Sequence, residues 1–193
     1  MSLYRKLAAI PFQERAYVEG TIELIGNDWI FFDEVNEEAS ELQDLGLELE
    51  VLINGNWEKG TLIENMLLYL ENDFHYLTNG DSIRFKKKLG HSFKQLIEEL
   101  SEETYLNFVK ALNSFGFSLY DCVYCNNFLS FLQTRELKDG MNVVLFDNGD
   151  QICVVQHYFY RGSDVTGGVN DFQDRFEFAQ NDGKRMVCAY LSS

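Results

Sequence analysis

The stretch Val143-Val144-Leu145-Phe146-Asp147-Asn148-Gly149-Asp150, with Ile152 to Phe159 after it, decides the fold class. Two runs of β-branched and aromatic residues flank a turn built on Asn-Gly, a pair that enters left-handed backbone readily, so the segment reads as a hairpin. The pattern recurs downstream. Arg175 to Ala179, the turn Asn181-Asp182-Gly183 and Arg185 to Leu191 read as a second hairpin, joined to the first by a loose Gly-containing loop from Arg161 to Asn170.

Upstream of this β-rich end the period changes to that of helices. Ser92-Phe93-Lys94-Gln95 fits a capping box. Ser101 is placed to cap a second helix, with Glu102 and Glu103 in its first turn, where the helix dipole favours them. Tyr105, Phe108, Val109 and Leu112 form an i, i+3, i+4, i+7 stripe, the mark of a core-facing side. Ser118 reads as the cap of a third helix reaching about Leu132. Leu119, Cys122, Val123 and Leu129 then lie on one side of it, and Tyr120, Tyr124, Phe128 and Phe131 on another.

Residues 1–90 read mostly as strand. A short helix, Leu3 to Ala9, opens the chain after Ser2 and ends before Pro11. Strands follow at Tyr17 to Leu24, Trp29 to Phe32, Leu47 to Ile53, Trp57 to Ile63, Met66 to Leu70 and Ser82 to Phe85. They are punctuated by Gly26-Asn27-Asp28, Asn54-Gly55 and Asn79-Gly80-Asp81. Leu47, Leu49, Val51 and Ile53 share one side of their strand, opposite Glu48 and Glu50. Asn36 to Gly46 reads as a short acidic helix. The expected class is α+β: an N-terminal antiparallel small barrel or bent sheet (1–90), then helices followed by C-terminal hairpins (91–193), as two blocks or one continuous domain. The first block resembles SH3-type or Sm-type small barrels, a likeness of fold that implies no function.

The 193 residues carry 31 acidic and 16 basic side chains, a net charge of −15. A polyanion is repelled by such a chain, so general nucleic-acid binding is not expected. Residues 28–50 hold nine acids and no Lys or Arg; residues 82–97 hold Arg84, Lys86, Lys87, Lys88 and Lys94 and no acid. No apolar run is long enough for a membrane span. No secretory h-region opens the chain, and its four cysteines are expected as free thiols in a reducing cytoplasm.

Cys122 and Cys125 form a C-x-x-C pair, the candidate metal ligands. A structural zinc needs four ligands, usually as two pairs. Cys153 and His157 complete the spacing on paper, but in a straight strand they stand roughly 13 Å apart. Cys188, His75 and His91 are each lone. A dithiol for redox work belongs at a helix N-terminus, where the dipole lowers its pKa; Asp121 beside this pair acts the other way. Walker A, G-x-S-x-G, H-E-x-x-H and G-x-G-x-x-G are all absent from the sequence, and Gly162, Gly167 and Gly168 lack a strand-loop-helix setting. Carboxylate pairs such as Asp33-Glu34 and Glu37-Glu38 sit in polar sequence that does not separate their pKa values. Sixteen Phe, ten Tyr and two Trp exceed the needs of two small cores. Trp29, Trp57, Tyr158 and Tyr160, near strand ends or turns, are candidates to line a groove for a peptide, a sugar or a second copy of the chain.

The segment Phe117-Ser118-Leu119-Tyr120-Asp121-Cys122-Val123-Tyr124-Cys125, running on to Leu132, resembles an uncharacterised family of Bacillus-type bacterial proteins. Phe146 to Gly149 and Asp174 to Phe178 share the likeness. The resemblance implies a bacterial, cytoplasmic protein and transfers no catalytic residue. The sequence therefore leads to a non-enzymatic acidic interaction or regulatory protein, with a protein partner or self-association. Its two alternatives are a zinc-stabilised module on Cys122 and Cys125, and an enzyme with a pocket centred on His157.

Overall fold

A computed structural model describes residues 2–33, 35–64, 66–163 and 170–192. The chain divides into two compact units. One is continuous, Tyr17–Lys87; the other is assembled from residues 1–16 and 88–193. Residues 1–16 thus belong with the helix-containing unit rather than with the β block that follows them in sequence.

The continuous unit is one antiparallel sheet of eight strands: β1 (Tyr17–Ile25), β2 (Asp28–Asp33), β3 (Glu38–Glu41), β4 (Glu48–Ile53), β5 (Asn56–Leu62), β6 (Leu67–Leu70), β7 (Phe74–Tyr76) and β8 (Ser82–Lys86). Their order is β3-β2-β1-β8-β4-β5-β6-β7. The sheet is bent and does not close into a barrel. Its first and last strands are neighbours, with Tyr17 opposite Lys86. Asn54 and Gly55 both take positive φ, 50° and 82°, as the tight turn between β4 and β5 requires. Alternation sends Ile22, Phe31, Leu49, Val51, Leu68 and Ile83 into one core. Phe31 lies across Gly20, where a Cβ would come within 2.7 Å of its ring.

The acidic helix expected over Asn36 to Gly46 does not form. The Asp33 carboxylate accepts from the backbone N–H of Val35 and of Asn36, each at 3.0 Å, and from the Asn36 amide at 2.6 Å. That turn reverses the chain, so Glu38–Glu41 returns as β3 against β2. Only one helical turn remains, α2 (Leu42–Leu45), which buries Leu42 and ends at Gly46 with φ 107°.

The other unit carries a five-stranded antiparallel sheet: β9 (Cys122–Asn126), β10 (Lys138–Asp147), β11 (Ile152–Ser163), β12 (Asn170–Gln180) and β13 (Arg185–Ser192), ordered β13-β12-β11-β10-β9. Both expected C-terminal hairpins are present. Of the loop expected between them, residues 164–169 lie outside the described residues. Helices α3 (His91–Glu99) and α4 (Glu102–Ser114) contribute Phe93, whose ring meets Phe146, and Phe108, whose ring meets Phe146, Phe176 and Phe178, with centroids 4.9–6.4 Å apart. The Ser101 hydroxyl accepts from Thr104 N–H at 3.1 Å, the expected cap of α4. Ser92 is not a cap: α3 starts one residue earlier, after Gly90.

Helix α1 (Leu3–Ala9) is held from its buried side. The Lys6 ammonium, 1% exposed, donates to the carbonyls of Ile97 (2.6 Å), Glu98 (3.0 Å) and Leu100 (2.7 Å). Ile97 and Glu98 belong to the last turn of α3 and Leu100 caps it, where carbonyls have no partner within the helix. One ammonium satisfies three of them.

The third expected helix, Ser118 to Leu132, is replaced by a single 3-10 turn (Leu119–Asp121), strand β9 and a second 3-10 turn (Phe128–Leu132). Asp121 closes the first turn: its carboxylate accepts from Ser118 N–H at 2.7 Å and pairs with Arg15 at 2.9 Å. Apolar residues on two sides, read as a buried helix, are equally the mark of an edge strand with one face on the core.

Candidate functional site

The sequence singled out His157 and the cysteines. His157 is fully buried on β11. Its ring stacks on Phe176, with centroids 4.4 Å apart and planes 12° apart. Leu129 N–H donates to the Asn142 side-chain oxygen at 3.2 Å, which turns the Asn142 NH2 toward His157 Nδ1 at 3.1 Å. Nδ1 therefore accepts, and Nε2 carries the proton that it donates to Asp174 at 2.7 Å. The Arg161 guanidinium reaches the same Asp174 oxygen at 2.5 Å. Burial lowers the His157 pKa and outweighs the opposing pull of Asp174. Burial alone would raise Asp174, but His157 and Arg161 together hold it below the ordinary carboxylate value. The imidazole is neutral and both its nitrogens are engaged, so it has no lone pair to offer a substrate. Cys153, on the same side of β11, keeps a thiol pushed up to about 11 by burial.

Cys122 and Cys125 lie on β9, in register with Phe146 and Val144, two residues apart on β10. A bulge lets three residues of β9 span what two span on β10, so residues at i and i+3 face the same way, toward the core side of Phe146. Burial pushes both thiols up to about 12. A thiol with that pKa is a poor nucleophile at neutral pH. All four cysteines are free thiols. Among the described residues no three His, Cys, Asp or Glu side chains are grouped to hold a metal ion, and a structural zinc takes four ligands. His75 pairs with Asp81 at 3.3 Å, and His91 opens α3 exposed.

Trp57, Tyr17 and Arg84 form a closed group on the solvent side of the eight-stranded sheet. The guanidinium lies 4.3 Å from the Tyr17 ring centre and 4.4 Å from that of Trp57, and Arg84 Nε bonds Glu50 at 2.6 Å. Its faces and its donors are taken.

Trp29 is different. It lines an open pocket of about 510 Å³ at one end of the bent sheet, where the hydrophobic core reaches the surface. Trp29, Leu42, Leu62 and Met66 supply its apolar wall, all of them part of or packed against that core. Leu47 and Ile63 stand at the mouth, 64% and 51% exposed. Leu47 does not lie in the strand with Leu49 as expected; it precedes β4, and its carbonyl accepts from Leu62 N–H at 2.8 Å. Asp28, Glu41 and Glu64 place three carboxylates on the lining, and no Lys or Arg lines it. Met66 holds left-handed backbone, φ 65°, an uncommon conformation for a residue with a side chain. Of these residues the sequence pointed only to Trp29. Leu47, Ile63 and Met66 read locally as ordinary strand residues.

Charge is partitioned in the same sense. Residues 17–87 contain sixteen acidic and four basic side chains, a net −12; the remaining 122 residues carry −3. Within this unit Arg84 pairs with Glu50 and Glu19, and Lys59 with Glu48.

No helix among the described residues is long and apolar enough to cross a membrane. Residues 4–190 match a family model described as "Protein of unknown function (DUF2777)". The chain is 32% identical over 133 residues to "Uncharacterized protein YisN" of Bacillus subtilis (strain 168), covering 69% of this chain. It spans about 65% of that relative's length. No solved structure matches it.

Proposed function

We propose that this chain, which belongs to the DUF2777 family of proteins of unknown function, is a non-enzymatic cytoplasmic interaction protein whose acidic unit engages a positively charged protein surface. The observation that carries the reading is the partition of charge: 71 of 193 residues hold −12 of the −15 net charge. A field concentrated on one unit attracts a basic partner and raises its association rate, and it disfavours nucleic acids and other acidic surfaces. Support comes also from the polar groups that catalysis would use. The His157, Asp174 and Arg161 cluster satisfies itself, and the Cys122 and Cys125 thiols carry raised pKa values.

The test is calorimetric titration of the full chain with a lysine-rich peptide at 20 mM and 300 mM salt. Saturable binding that weakens at least tenfold at the higher salt is expected, since surface attraction is screened within about 8 Å at physiological ionic strength. Absence of binding at the lower salt overturns the reading.

A further inference from the structure

We propose that the Trp29 pocket is the seat of an extended basic segment of a partner protein, taking an arginine or lysine side chain with its aliphatic stem on Trp29 and its cationic head among Asp28, Glu41 and Glu64. This rests on the reading of the acidic unit as a module for a basic partner, and it assigns that module a site.

Two independent features meet in the pocket. The first is an apolar groove. Its wall is continuous with a hydrophobic core, and Leu47 and Ile63 expose large aliphatic surface at its mouth. Exposed side chains of this kind beside a concavity are what a partner covers. At about 510 Å³ the space falls within the range of ligand pockets. The second feature is the sign of the charge that surrounds the groove. Three exposed acidic residues and no Lys or Arg on the lining favour a cationic occupant over an anionic one.

The side-chain donors on the lining are the amides of Asn27 and Gln43 and the indole of Trp29, and the Gln43 amide already donates to Glu41. An occupant that brings its own donors is therefore favoured. Arginine and lysine do this, and their methylene stems cover apolar surface while the head stays with the carboxylates. An indole is the best aromatic partner for such a cation.

The experiment uses the full chain with Trp57→Phe, which leaves Trp29 as its one tryptophan. Three probes are titrated: a ten-residue peptide alternating arginine and leucine, the same peptide with citrulline for arginine, and spermidine. The arginine peptide is expected to bind and shift Trp29 emission, the citrulline peptide to bind at least tenfold more weakly, and spermidine to leave the emission unmoved. Leu47→Ser with Ile63→Ser, both at exposed positions, is expected to weaken the arginine peptide about tenfold, equivalent to about 1.4 kcal/mol. Glu41→Gln with Glu64→Gln is expected to do the same, and Glu23→Gln with Glu37→Gln, an equal change of charge away from the pocket, to weaken it less than threefold.

If the peptide binds with salt dependence while Trp29 stays silent and all three double variants behave alike, the pocket is overturned and the acidic-unit reading stands. If no probe binds at low salt, both fall. Spermidine that binds and shifts Trp29 as the peptide does overturns the peptide as occupant.

Discussion

The interior of the five-stranded sheet and the open end of the eight-stranded sheet each gather carboxylate, aromatic and amide groups. On the inside, Asn142, His157, Asp174 and Arg161 form a chain in which each donor meets an acceptor and the histidine stacks on Phe176. At the open end, Asp28, Glu41 and Glu64 surround apolar surface with no cation among them. The inner cluster has the residue types of an active site and the connectivity of a core. The outer one has ordinary residue types and an unmatched charge. Residue identity alone does not separate the two; what does is whether each charged group already has a counter-charge.

The largest effect expected from breaking the inner cluster comes from Asp174→Ala, which removes the partner of a buried imidazole and the counter-charge of a half-buried guanidinium together. A loss of about 3–5 kcal/mol is expected in urea unfolding. Asp28→Ala, at the pocket, is expected to change stability by less than about 0.5 kcal/mol. Equal losses at the two positions would erase the distinction between a satisfied and an open cluster.

A pH profile sharpens the same contrast. His157 is held below its ordinary pKa of 6.5, so the unfolded chain takes up a proton that the folded chain refuses. Stability is then full above about 6.5 and falls as pH drops below it. Asp174, held below 3.8, contributes stability that is present above that value and lost at lower pH still. Thermal melts at pH 5.0 and 7.5 are expected to show a lower midpoint in acid, with the difference reduced in His157→Gln. A difference unchanged in that variant would assign the acid sensitivity elsewhere.

The smallest effect is chemical. Burial that pushes Cys122 and Cys125 up to about 12 predicts slow reaction with a thiol reagent at pH 8, and release of all four thiols on denaturation. Fast labelling of the native pair would show β9 opening. Stoichiometric zinc in protein purified without chelator would require ligands beyond the pair that β9 carries.

Much of the β structure was legible because its signals are local. Asn54-Gly55 and Asn148-Gly149 mark turns whatever lies beyond them, and Ser101 caps α4 through a residue three positions away. The two failed helices were decided from a distance or by side chains competing with the backbone. Asp33 captures the turn at Asn36, and Asp121 is fixed by Arg15, 106 residues earlier. The pocket is harder still to read. Trp29, Leu47, Ile63 and Met66 come from separate parts of the acidic unit and form a wall only after eight strands have taken their order, so no single window of sequence contains it.

The three carbonyls held by Lys6 bear on the order in which the molecule is made. The acidic unit is an insertion: it begins at Tyr17 and ends at Lys87, and its first and last strands lie side by side, so it enters and leaves its host at one doorway. During synthesis it is complete before any of α3 exists. The first sixteen residues therefore wait while 71 more are added, and Lys6 docks only when Ile97 to Leu100 arrive. A tight early fold in the insert keeps the ends of that 71-residue detour close together, which lowers the entropy of joining the two halves of the host.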